Sequence, residues 1–297
     1  RLVSDWSSDV CSSDLMKKTL VLAASLALIA ANLTAQAPKK MLNTVKQKLA
    51  EGKQVVGGTV SVPDPDTYCA MANSGFDFLW IEMQHSPLSY QDVAHMIMTC
   101  KGSPGIPFVR VPDATEGDIQ KATDMGALGI ILPMVESVEK VKNAVKFANY
   151  PPKGKRSQGG GYYGALYGRD YRAIANDNIM IVAMIESPAG AEIADQIAAI
   201  PEVDVVFVAS TDLSSFSGLK QGDPKYEAIV DKIKAATLKH GKVVAGPLAW
   251  KGTRQGYRFF QGPGETSLIR SGAELALKGA VAPGEKRGVA PTEGSEK

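Results

Sequence analysis

The stretch IPFVRVPDATEGDIQKATDMGALGIILPMVES, residues 106–137, decides the fold. Its two ends, PFVRV (Pro107–Val111) and GIILPMV (Gly129–Val135), are continuous apolar runs rather than alternating ones. Such runs suit strands buried on both faces, as in a parallel sheet. Between them, Thr115–Met125 carries Ile119, Ala122 and Thr123 at helical spacing. The stretch therefore reads strand, helix, strand.

The same unit recurs on both sides. Further strand-like runs are Val55–Ser61, Phe76–Met83, Ile179–Glu186, Val205–Ser210, Lys242–Leu248 and Tyr257–Gly262. Helical patterns separate or flank them at Leu42–Glu51, Pro65–Ser74, Tyr90–Cys100, Val138–Phe147, Ala189–Ile200, Tyr226–His240 and Glu265–Lys278. Eight such units within about 240 residues predict an α/β fold, the (β/α)8 TIM barrel, whose usual size is roughly 250 residues. A doubly wound open sheet fits less well. The first strand is not followed by a GxGxxG turn, and the strand count is eight.

The whole chain has 297 residues, 44% of them hydrophobic and 22% charged, with a net charge of +2. This composition excludes a disordered chain, a collagen and a disulfide-dense mini-scaffold. The near-balanced charge argues against nucleic acid as a partner. The three cysteines, Cys11, Cys69 and Cys100, match no zinc spacing. Cys69 and Cys100 fall in helical patterns and are expected to be two buried thiols.

The ends are set apart from the fold. Residues 1–15 contain DWSSDVCSSDL, which resembles the in-frame translation of a sequencing adapter, and are read as an assembly artefact. From Met16 the chain runs MKKTLVLAASLALIAANLTAQAPKK. Two lysines, an apolar run and small residues at Ala35 and Ala37 have the layout of a secretory signal peptide at 16–37. The apolar run is shorter than the roughly 20 residues a membrane span needs. The mature chain is thus expected to be periplasmic or secreted, with no membrane partner. Residues 38–278 form the barrel domain, and 279–297, rich in Gly, Pro and charge, a loose tail.

A barrel places its chemistry at the C-terminal ends of its strands. Those positions hold Glu82, Gln84, His85, Arg110, Glu186 and Asp212. Glu186 and Asp212, on neighbouring strands, are hard oxygen ligands suited to Mg²⁺ or Mn²⁺. Arg110, in an apolar run, needs an anionic partner: either one of these carboxylates or a substrate carboxylate or enolate. His85 opens a loop and is the candidate acid–base residue. His95 and His240 sit in helical patterns and read as structural or solvent-facing. Asp124, late in a helix, reads as a capping or surface charge. Gly159-Gly160-Gly161 lacks the Lys-Ser/Thr of a phosphate loop and reads as a flexible loop after strand four. Tyr162, Tyr163 and Arg169 there can line the mouth or a subunit contact.

Several blocks in order resemble the HpcH/HpaI aldolase family, the metal-dependent class II pyruvate aldolases. They are DFLWIEMQHSPLS, the stretch quoted above, YPPKGKRSQGG, MIESPAGAEIADQIAAIPEVDVVFVASTDLSSFSG and AGPLAW. The resemblance implies a carbon–carbon lyase that cleaves or forms aldols of 2-oxo acids, releasing pyruvate or an analogue and an aldehyde. It implies Glu186 and Asp212 as ligands of a divalent metal ion (Mg²⁺, Mn²⁺ or Co²⁺). It implies Arg110 on the keto oxygen, His85 as catalytic histidine and Asp124 as its supporting acid. Backbone groups near Ser210 and Thr211 would hold the carboxylate, and Leu248 would form pocket wall. It also implies a homo-oligomer, a hexamer whose barrels exchange a terminal helix. The sequence departs from the family in two places: Glu82-Met83-Gln84 stands where Asp-Gly-Glu is common, and Met184 where Gln is common. Two other readings stay open: an enolate-forming lyase acting on a CoA thioester, and a non-catalytic barrel that binds 2-oxo acids.

Overall fold

The structure, a computed structural model, describes residues 40–279. The expectations for residues 1–15, for the signal peptide at 16–37 and for the tail beyond Gly279 lie outside the described residues. Eight strands close into one barrel in sequence order. They are β1 (Val55–Val60), β2 (Phe78–Glu82), β3 (Ile106–Arg110), β4 (Gly129–Leu132), β5 (Met180–Ile185), β6 (Val203–Val208), β7 (Val243–Pro247) and β8 (Tyr257–Gly264). Every neighbouring pair is parallel. In β2 to β5 every residue is buried, which explains why those segments show no polar alternation.

Helices return the chain along the outside. The first five are α1 (Thr44–Ala50), α2 (Pro65–Ala72), α3 (Tyr90–Thr99), α4 (Glu116–Asp124) and α5 (Val138–Ala148). Each is started by a side-chain cap: Asn43, Asp64, Ser89, Thr115 and Ser137 accept from the backbone three residues on. Such a cap is worth about 1 kcal/mol. For α2 to α5 it also fixes where each loop at the strand ends stops, so that only residues 111–114 separate Arg110 from its cap.

Aromatic rings fill the barrel interior. Phe78 stacks on Phe259 at 4.3 Å between centroids, and Phe108 tilts against Phe78 at 4.9 Å. Room for them comes from missing side chains on adjacent strands. A β-carbon at Gly57 would overlap the Phe78 ring, and one at Gly129 the Phe108 ring. Truncating any one of these rings should cost about 3–5 kcal/mol.

Several local expectations need correction. Gly159, Gly160 and Gly161 do lie in a loop, but past the glycines the chain folds into α6 (Tyr163–Tyr167) and α7 (Tyr171–Asn178), separated by Gly168 at φ 98°. The helix expected over 189–200 is two short ones, α8 (Pro188–Glu192) and α9 (Ala194–Ala198). After β6 a further helix, α10 (Ser210–Ser217), carries Asp212. Then come α11 (Pro224–Lys239), a 3₁₀ turn at Leu248–Trp250 and α12 (Glu265–Leu277). Cys69 and Cys100 are not free thiols. They form a disulfide between α2 and the end of α3, with Cα atoms 5.4 Å apart. The two helices pack side by side, which sequence spacing did not disclose. Among the described residues no helix is long and apolar enough to cross a membrane.

Candidate active site at the barrel mouth

Parallel register assembles the site. Glu82 is directly opposite Arg110 across β2 and β3. Arg110 donates from Nη1 to Glu82 Oε2 at 3.1 Å and from Nη2 to Glu186 Oε1 at 3.3 Å. All three side chains are buried. The Nε of Arg110 is also buried and finds no partner among the described residues. That leaves one guanidinium donor without a protein acceptor, where unmet hydrogen-bonding capacity is costly.

Glu82 is saturated. It accepts from Trp80 Nε1 at 3.1 Å, from Arg110, and from the backbone N–H groups of Gln84 at 2.9 Å and His85 at 3.1 Å. One carboxylate thus fixes both the guanidinium and the start of the loop that bears His85. Sequence reasoning noted Glu82 at a strand end but gave it no role. The signal was present, because the strand-end rule that picked Arg110 applies equally to its neighbour. His85 is exposed at the rim, and its ring makes no hydrogen bond or ion pair among the described residues.

Glu186 follows β5 directly. Besides Arg110 it accepts from the Met134 N–H at 3.0 Å. Met134 holds φ at 49°, the left-handed region that a non-glycine residue rarely enters. Such strain costs of order 1–3 kcal/mol and gathers at functional sites; here it aims an N–H at the carboxylate. Burial pushes the Glu186 carboxyl above the usual glutamate range, and the neighbouring Asp212 carboxylate adds to the rise. The Met134 N–H and Arg110 pull the other way. Asp212, in the first turn of α10, is half-buried.

A cavity of about 110 Å³ opens beside these groups. It is lined by Arg110, Met184, Phe207, Ala209, Ser210, Thr211, Asp212, Pro247 and Gln261. Arg110, Ser210, Thr211 and Asp212 are therefore brought together as expected. Leu248 adjoins it through Pro247 but does not line it.

Asp124 is not brought to His85 within the chain, which corrects the role given it by resemblance. It sits at the end of α4 on the outer helical layer. Its carboxylate accepts from Arg156 at 2.9 Å and Gln120 at 2.7 Å. Barrel helices run antiparallel to their strands, so a residue late in α4 is carried away from the strand ends. It lines a separate outer cavity of about 970 Å³ with Tyr90, His95, Lys121 and Tyr162.

The donor set fits a divalent cation. Glu186 and Asp212 offer hard oxygens, and the Asp212 carboxylate lies close enough to raise the proton affinity of Glu186, a repulsion that a cation between them would relieve. Among the described residues no group of three or more His, Cys, Asp or Glu could hold a metal. A cation here would keep open positions for water or substrate, as Mg²⁺ commonly does.

Residues 60–246 match the family model described as HpcH/HpaI aldolase/citrate lyase. The chain is 32% identical over 200 residues to the hydroxypyruvate/pyruvate aldolase of Roseovarius nubinhibens, covering 66% of this chain and 77% of the relative. It is 30% identical over 228 residues to the 2-dehydro-3,6-dideoxy-6-sulfogluconate aldolase of Pseudomonas putida, covering 72% and 89%. A crystal structure of a family protein from Burkholderia cenocepacia superposes with a TM-score of 0.73 at 28% identity, covering 80% of this chain and 98% of that one.

Proposed function

The chain belongs to the HpcH/HpaI aldolase/citrate lyase family and is an aldolase, a carbon–carbon lyase acting on small molecules, and we propose that it is a divalent-metal-dependent aldolase of 2-oxo acids whose site is this barrel mouth. The observation that carries the reading is the convergence of one guanidinium and three carboxylates, Arg110 with Glu82, Glu186 and Asp212, beside a cavity of about 110 Å³.

Glu186 and Asp212 would hold Mg²⁺ or Mn²⁺. When bound, the cation supplies Lewis-acid polarisation of the 2-oxo acid's oxygens. Arg110 binds the keto oxygen and stabilises the negative charge that gathers there as the carbon–carbon bond breaks. Glu82 holds the guanidinium in place, so the donor is oriented before substrate arrives. Ser210 and Thr211 bind the carboxylate at the start of α10. His85, exposed at the rim, takes the proton from the aldol hydroxyl in cleavage and returns it in condensation. Asp124, held by Arg156 and Gln120, does not serve the His85 of its own chain; in a homo-oligomer, hexameric as the family resemblance implies, it would serve the His85 of a neighbouring copy.

Export to the periplasm or beyond is part of the same proposal. The lysine-led apolar run from Met16 supports it, as does the Cys69–Cys100 disulfide, since such bonds persist in oxidising compartments. Thiol alkylation followed by mass spectrometry of protein recovered from that compartment should leave both cysteines unlabelled. Full labelling would contradict it.

The direct test is proton exchange at the pyruvate methyl group in D₂O, followed by NMR. Exchange should require Mg²⁺, stop in chelator and be lost in Glu186→Ala. Undiminished exchange in chelator would sink metal dependence, and the absence of exchange with Mg²⁺ and pyruvate present would sink the enolate chemistry.

A further inference from the structure

The lining of the mouth cavity falls into two unlike sets: Arg110, Ser210, Thr211 and Asp212 are polar, and Met184, Phe207, Ala209 and Pro247 are apolar. Met184 and Phe207 are register partners on β5 and β6, both buried, and Phe207 is backed by Trp80 at 5.1 Å. Met184 lies two residues before Glu186 and Phe207 two before Ala209, so each pair shares the interior face of its strand. The apolar set is therefore continuous with the carboxylate site and lies just beneath it.

Gln261 is the remaining polar side chain in the cavity, and its Nε2 is turned to Thr59 Oγ1 at 3.4 Å. A compact 2-oxo acid that places its oxygens on the polar set must lay its carbon chain against the apolar one. Resting on the aldolase reading above, we propose that Met184, with Phe207, sets the donor specificity. The site takes 2-oxo acids whose third carbon bears only hydrogen or alkyl, and it rejects those hydroxylated at that carbon. A hydroxyl there would be set against a thioether and a phenyl ring, neither of which offers it a strong hydrogen bond. A buried polar group left unpaired is disfavoured by about one to two orders of magnitude in equilibrium.

The test compares pyruvate, 2-oxobutyrate and hydroxypyruvate as substrates for exchange at the third carbon in D₂O with Mg²⁺. Wild type, Met184→Gln and Met184→Leu are each read as ratios of kcat/KM within one preparation, so folding and metal loading cancel. Wild type should exchange pyruvate and 2-oxobutyrate, with hydroxypyruvate at least about 10-fold slower. Met184→Gln should move the hydroxypyruvate-to-pyruvate ratio up by about 10-fold, and Met184→Leu should keep the wild-type ratio. Equal rates for hydroxypyruvate and pyruvate in wild type overturn the proposal. So does a ratio that Met184→Gln leaves unmoved while pyruvate exchange persists. If none of the three exchanges, the aldolase reading has failed. Saturation-transfer NMR of the same three acids then reads the lining by binding alone: preference for pyruvate that Met184→Gln erases supports it, and no preference overturns it.

Discussion

Two buried arginines of this barrel have carboxylates beside them, and the difference between their surroundings separates chemistry from architecture. On the outer layer Arg156 meets one carboxylate, Asp124, at 2.9 Å. Its remaining surface is covered by tyrosines, with ring centroids 4.6 Å (Tyr150), 5.3 Å (Tyr163) and 5.7 Å (Tyr171) from the guanidinium. Charge there is matched one to one, and aromatic faces complete the coordination of the cation. At the mouth Arg110 faces Glu82 and Glu186, with Asp212 beyond them. Three carboxylates against one guanidinium leave surplus negative charge in a desolvated place. A protein tolerates that where something positive is meant to bind, because buried like charges are otherwise expensive. Neither cavity size nor the presence of an ion pair makes the distinction. The larger cavity lies beside the balanced pair.

The comparison can be tested one side at a time. The largest effect is expected for Arg110→Ala. It leaves Glu82 and Glu186 buried without their cation and should cost about 3–5 kcal/mol of unfolding free energy, measured by chemical denaturation. Glu186→Gln should lower metal-dependent exchange by at least about 10²–10³-fold, yet the metal-free protein should melt no lower than wild type, because surplus charge has been removed. A marked drop in its Tm would mean the mouth is an ordinary ion pair. Asp124→Asn should do the reverse. Stripping Arg156 of its one carboxylate should cost about 1–3 kcal/mol, while Mg²⁺ affinity measured by calorimetry stays unchanged.

The smallest effect is a pH slope. Glu186 has its folded pKa raised above the unfolded value, chiefly by burial. Over the window from the ordinary glutamate pKa up to that raised value, the native state binds more protons than the unfolded state. Metal-free stability should therefore fall as pH rises through this window. Saturating Mg²⁺ should flatten or invert the slope, since the cation binds the ionised carboxylate. A metal-free slope of the opposite sign would show that Arg110 already balances the site.

Legibility from sequence followed distance along the chain. β2 to β5 announced themselves because strands buried on both faces show apolar runs without polar alternation, broken only at their C-terminal ends. Arg110, Glu186 and Asp212 were picked out as candidates because a barrel confines chemistry to strand ends, whose positions follow once the strands are placed. Asp124 was legible from the residues as a charge late in a helix, which is where it lies; its role beside His85 came from the resemblance alone, and within the chain the reversal of direction carries that helix end away from the mouth. Glu82 was passed over because its role lies in four hydrogen bonds to groups that register, not sequence, assembles. The break between α6 and α7 turns on one glycine with positive φ, a signal too local to distinguish from loop.

By itself, then, the sequence determined the strands, the helices that separate them and the residue types waiting at the strand ends, since burial on both faces and helical periodicity are written in single segments. Tertiary structure alone decided which of those residues meet. The parallel register set Glu82 across from Arg110 and Met184 across from Phe207, packing of α2 on α3 joined Cys69 to Cys100, and the left-handed Met134 turned its N–H to Glu186. Each of these is a contact between segments far apart in the chain, fixed by closure of the barrel and by no property of either segment on its own.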